Sequence, residues 1–211
     1  QGMPSSVALW AGAYITELQD DIAGIQRTLL RINLSPLGSA AGYGTPNIPV
    51  DRQFTADALG FDQVHEPVTA VQLSRGKAEA SLVFELSLLM QDMGRLASDL
   101  LLFYTQEFAF ISLPDNITTG SSIMPQKRNP DVLELVRAAT ATMQGSLVEI
   151  MSITAKLPSG YQRDLQRIKS PLFKAIDLAE DSALIMANLV NGLSFNAENI
   201  TLDPSVHAAG D

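Results

Sequence analysis

Between positions 120 and 130 the chain places Gly120, Ser121, Ser122, Lys127, Arg128, Asn129 and Pro130 around a short Ile-Met-Pro-Gln core. A free serine hydroxyl is a weak base and a weak nucleophile, so either serine needs help. Gly120 lets the backbone turn and aim N–H groups at an oxyanion. Lys127 supplies a positive charge nearby. Asn129-Pro130 is a helix opening, with Asn129 as cap and Pro130 at the first position. The N-terminus of that helix adds a partial positive charge and unpaired N–H groups. Such a set binds a carboxylate and stabilises further negative charge on it. That charge develops when a proton leaves the carbon beside a carboxylate. Loops on rigid scaffolds are where catalytic groups concentrate, and residues 120–130 read as an active-site loop rather than a polar linker.

Four long helical patterns must hold that loop. In the first, Trp10, Tyr14, Leu18, Ile22, Ile25, Leu29 and Ile32 recur at steps of four and three, and Ser35-Pro36 ends the run. Residues 35–67 carry Pro36, Pro46, Pro49 and Pro67 with several glycines, which is loop chemistry. One short helix is expected there, near Asp51–Leu59, closed by Gly60. A long helix is expected over 68–110, roughly 60 Å at 1.5 Å per residue. Its seam is Leu82, Leu86, Leu89, Met93, Leu96, Leu100 and Phe103. Past the loop, Val132, Leu135, Val136, Ala139, Met143, Leu147, Ile150 and Met151 form a third stripe. Ser170-Pro171 opens a fourth helix with Leu172, Ile176, Ala179, Ala183, Met186, Val190 and Leu193. Met93 and Met143 are assigned to the core. No strand pair is evident, so the class is all-α, a long-helix bundle. Residues 1–200 read as one helical domain and 201–211 as the start of a following segment. The several apolar faces predict association with other copies.

Composition narrows the function. The 211 residues are 46% hydrophobic with a net charge of −9, which argues against a nucleic-acid or anionic-membrane partner. An anionic substrate then needs a local cluster of cations. The chain has no cysteine and two histidines, His65 and His207, so no metal site and no cofactor is expected, and neither histidine is assigned to catalysis. No apolar run reaches membrane-spanning length, and a cytoplasmic location is expected.

The string from Gly120 to Pro130 resembles the signature loop of the fumarase/aspartase superfamily, whose members eliminate an amine or water to leave fumarate. Within it the chain is most similar to the argininosuccinate lyase family. Ser35-Pro36-Leu37-Gly38-Ser39-Ala40-Ala41-Gly42 resembles that family's Ser-Pro-Leu-Gly-Ser-Gly segment. Asp131 to Arg137 resembles the continuation of its signature. Tyr161-Gln162-Arg163-Asp164-Leu165-Gln166 with Lys169 resembles a Tyr-Asn-Arg-Asp-Leu-Gln segment that fumarases and aspartases do not share. The likeness extends to about Phe195 and implies the superfamily's central helical domain.

It also implies roles. Ser121 would be the base, Lys127 and Asn129 would stabilise an aci-carboxylate, and Glu134 would pair with a catalytic histidine. Ser122, Tyr161, Gln166 and Lys169 would hold the substrate, argininosuccinate, which is split into arginine and fumarate. Ser35, Gly38 and Ser39 would line the pocket, and Arg75 matches a family arginine or is a surface cation. The family's Thr-x-x-His element, its Ser-Arg-Asn-Asp string and its C-terminal domain are missing from these 211 residues. The resemblance therefore implies a homotetramer with shared active sites and a piece inactive on its own. Adenylosuccinate lyase and a non-catalytic eye-lens homologue are the alternatives within the superfamily; a plain helical association module lies outside it.

Overall fold

The computed structural model describes residues 4–201. Four long helices dominate: α1 (Val7–Ile32), α4 (Lys77–Phe103), α5 (Asp131–Thr154) and α6 (Lys169–Gly192). Between α1 and α4 lie the short helices α2 (Arg52–Leu59) and α3 (Ala70–Leu73). Strands are confined to two-residue pieces. β1 (Leu34–Ser35) runs parallel to β2 (Gln63–Val64), β3 (Ile111–Ser112) antiparallel to β6 (Ser194–Phe195), and β4 (Thr119–Gly120) antiparallel to β5 (Arg128–Asn129). The class is all-α, as the periodicity predicts.

The described chain forms two compact units. The first takes residues 4–20, 89–141 and 178–201, and the second takes 21–88 and 142–177. In the first, α4 and α5 bury Met90, Met93, Leu96, Leu100, Leu133 and Val136, and α6 adds Met186 and Leu189. Close approach of α4 to α5 depends on Gly94, where a Cβ would stand 2.9 Å from the Thr140 hydroxyl. That hydroxyl donates to the Met90 carbonyl at 3.1 Å. On α1, Trp10 Nε1 and Tyr14 OH both donate to Asp99 Oδ2 of α4, at 2.8 and 2.7 Å. The indole also packs on Phe103, with ring centroids 5.2 Å apart.

The second unit buries Val83, Leu86, Met143, Ile150, Leu165, Ile168 and Ala175. Here α1 turns small and polar residues inward, Asp21, Gly24 and Thr28. α2 follows the expectation closely. The Asp51 side chain accepts from the Phe54 N–H, and Gly60 at φ 76° closes the helix.

Some expectations are corrected. The helix predicted over 68–110 is shorter, because Gly76 takes φ +86° and resets the chain before Lys77. Its 27 residues span about 40 Å at 1.5 Å per residue. α5 begins at Asp131 with Asn129 still in β5, and α6 begins at Lys169, one residue ahead of Ser170. Leu135, Met151 and Val190, assigned to buried stripes, are exposed, as are Ile22 and Leu29 of α1. Each lies next to the true seam on the helical wheel, where periodicity alone does not tell a core face from a second apolar face. Met93 and Met143 are buried as predicted. His207 lies outside the described residues.

Candidate active site

The loop of interest is the tip of a hairpin. Thr119 pairs with Asn129 and Gly120 with Arg128, so residues 121–127 form a closed loop. Ser121 and Lys127 are its first and last residues. They occupy the next opposed position after the Gly120–Arg128 pair. Met124 to Lys127 makes a turn, the Lys127 N–H donating to the Met124 carbonyl at 2.9 Å. The chain then passes Pro130 into α5, whose first turn carries Asp131 and Glu134.

Ser121 is oriented by its own loop. Its Oγ accepts from the backbone N–H groups of Ile123 and Met124, at 3.3 and 3.2 Å. Two donors aimed at one hydroxyl oxygen favour that oxygen when it carries negative charge, which is what a serine base requires. The residue is half-buried, whereas Ser122, Ile123 and Lys127 are exposed. Asn129 is half-buried in β5 and Glu134 is exposed on α5.

These five residues, Ser121, Ser122, Lys127, Asn129 and Glu134, all belong to the first unit. Tyr161, Gln166 and Lys169 belong to the second. There Gln166 Nε2 donates to the Tyr161 OH at 3.5 Å, so two of the four residues assigned to substrate touch. Lys169 is exposed at the first position of α6, after a 3-10 turn over Arg163–Ile168. The segment expected to line the pocket is folded inward instead. Ser35 is fully buried and Ser39 nearly so. The Ser39 carbonyl accepts from the N–H groups of Gly42 and Gly44, both at 2.9 Å. Arg75 is half-buried and its Nε meets Glu79 Oε1 at 3.1 Å. It also lines an open groove of about 780 Å³ in the second unit together with Arg27, Arg31 and Lys77. The i, i+4 spacing of Arg27 and Arg31, together with Arg75 and Lys77, is the sequence signal of that groove.

The residues bracing the hairpin were also missed. The Thr119 hydroxyl donates to Asp131 Oδ2, and Arg128 Nε lies 3.5 Å from Asp115 Oδ1. Among the described residues no cluster of three metal-ligating side chains is present, and no helix is long and apolar enough to cross a membrane.

A family model described as Lyase matches residues 1–145. The chain belongs to this lyase family. Curated relatives agree on a more specific name. The argininosuccinate lyase of Sorangium cellulosum is 46% identical over 200 residues, 95% of this chain and 46% of that protein. The argininosuccinate lyase of Thermotoga neapolitana is 42% identical over 198 residues, 94% of this chain and 50% of the relative. The lyase chain thus spans about half the length of the curated relatives it matches.

Solved structures give the same fold. An EDDS lyase in complex with formate superposes with a TM-score of 0.77 at 29% identity, covering 86% of this chain and 35% of that one. A class II fumarase from Schistosoma mansoni superposes with a TM-score of 0.83 at 21% identity, covering 94% and 46%. That last likeness is one of fold alone, a long-helix bundle shared with the fumarase.

Proposed function

We propose that this chain supplies the base loop and part of the substrate clamp of an argininosuccinate lyase. The observation that carries the reading is the Ser121 hydroxyl, held by two backbone N–H groups in a closed loop whose other end is Lys127. The curated relatives named argininosuccinate lyase, at 42 and 46% identity, supply the substrate.

In this mechanism Ser121, as an alkoxide, takes a proton from the succinyl carbon beside a carboxylate. The C–H electron pair moves into that carboxylate, giving an aci-carboxylate opposite Lys127 and Asn129. The pair then returns to form the C=C bond of fumarate as the C–N bond breaks. Its electrons leave on the guanidino nitrogen of arginine. A histidine oriented by Glu134, and not among these 211 residues, protonates that nitrogen. Tyr161, Gln166, Lys169 and Ser122 hold the remaining substrate groups, with Lys169 paired to a carboxylate. The reaction needs no metal or cofactor.

The working enzyme is a cytoplasmic homotetramer with shared sites, residues 1–200 forming its central helical domain and 201–211 opening the next segment. Exposed apolar side chains support association: Leu9 and Leu30 of α1 are each 70% exposed, and Leu135 of α5 is 68% exposed. Such density of apolar surface marks interaction faces.

The test is fumarate release by the full-length protein, with adenylosuccinate as the competing substrate. Argininosuccinate should be cleaved, and Ser121→Ala should lower turnover by about 10³-fold or more while leaving assembly unchanged. A Ser121→Ala enzyme with more than about a tenth of parental turnover refutes the base assignment. Faster release from adenylosuccinate refutes the substrate.

A further inference from the structure

We infer that Thr119 is a positioning residue for the Ser121 loop, acting through Asp131, an inference that rests on the reading of Ser121 as the base. The Thr119 hydroxyl donates to Asp131 Oδ2. Asp131 is the first residue of α5, a helix of 24 residues. Thr119 therefore ties β4, the arm leading directly into Ser121, to a rigid element.

The tie matters because the hairpin is otherwise weakly held. Its ladder consists of two residue pairs, and an isolated two-stranded ribbon is marginal in water. The opposite arm is braced by Arg128 and Asp115, but their side chains are 47 and 87% exposed. Exposed ion pairs contribute little. The Thr119–Asp131 bond is exposed as well, but it is charge-assisted and ends on the first residue of α5. Branching at Thr119 Cβ also limits the rotamers from which the donor can stray. Without the brace the two N–H groups that meet Ser121 Oγ keep their sequence neighbours but lose their fixed orientation towards substrate.

The cost should fall on turnover. Displacing a reacting group by about 1 Å costs on the order of 10²-fold in rate. Thr119 is assigned no contact with substrate, so KM should move little. In the full-length enzyme, Thr119→Val keeps the shape and removes the donor. Its kcat should fall about 10- to 100-fold with KM within about threefold. Thr119→Ser should recover kcat to within about threefold. Adding Asp131→Ala to Thr119→Val should lower kcat no further, because the shared interaction is already gone.

A second readout does not depend on the reaction. Amide exchange at Ile123 and Met124 should quicken in Thr119→Val with the thermal midpoint unchanged. Parental kcat in the valine variant, failure of serine to rescue it, or unchanged exchange at both amides overturns the inference. Absence of fumarate release from the parent refutes the proposed function instead, and the exchange experiment then decides the brace alone.

Discussion

Replacing Asp99 by alanine should destabilise the protein by about 2–4 kcal/mol, and the number follows from two hydrogen bonds. Asp99 Oδ2 accepts from Trp10 Nε1 at 2.8 Å and from Tyr14 OH at 2.7 Å. Hydrogen bonds to a charged group contribute about 1.5–3 kcal/mol each, so two would give roughly 3–6 kcal/mol if both donors were sealed from water. They are not; both bonds are partly buried, and water can replace part of what is lost. That lowers the expected cost to about 2–4 kcal/mol. Trp10 is the single tryptophan of the chain, so its fluorescence reports on this junction directly. At a slope of about 2–3 kcal/mol per molar urea, the midpoint should fall by about 1 M. Protomer concentration must be fixed, since association would shift the apparent stability. Tyr14→Phe should cost about 1–2 kcal/mol in the parent and little in the alanine background. A loss under about 0.5 kcal/mol, or costs that simply add, would refute the idea that Asp99 joins α1 to α4 through these donors.

Two further outcomes concern the same helices. Burial, then the hydrogen bond to Asp99 and its negative charge, push the Tyr14 phenol well above its ordinary value near 10. A raised value means the fold favours the neutral phenol. The stabilisation is therefore complete below about pH 10 and is lost as pH climbs through the folded-state value. Urea midpoints between pH 9 and 11.5 should decline in the parent, with the Tyr14 share of that decline missing in Tyr14→Phe; parallel curves would count against it. Gly76→Ala should cost about 2–4 kcal/mol. About 1–2 kcal/mol comes from forcing a side chain to φ +86°, and the rest from overlap with Thr154, whose Cβ would lie 2.9 Å away. Adding Thr154→Ala removes Cγ2 and Oγ1 but keeps the Cβ, so it should recover part of the overlap and leave the dihedral cost, which chemical denaturation of the pair would measure.

The helices were legible because burial imposes a period of 3.6 residues, and Leu86, Met93, Leu96 and Leu100 are buried along the seam their spacing predicts. The turn chemistry of Asp51 and Gly60 was legible for a local reason: one caps through its side chain and the other reaches positive φ without a Cβ. What failed were faces. Leu135 and Val190 are apolar and exposed, and helical period alone does not separate an apolar face that packs on its own chain from one left open. The hairpin at the candidate site was hidden for a different reason. Strands of two residues have no alternation to detect, and Thr119 and Asp131 are separated by a loop that no propensity links. The string of residue types singles this loop out all the same, because chemistry that stabilises a developing anion demands a hydroxyl, backbone N–H groups and a cation within a few ångströms. Register then converts the string into a geometry. Pairing Gly120 with Arg128 forces Ser121 and Lys127 to the mouth of one loop; a slip of one residue would pair Ser121 with Arg128 and draw the base into the ladder. Two residue pairs alone are a weak guard against that slip, which is why a side-chain brace at the neck bears on chemistry at the tip.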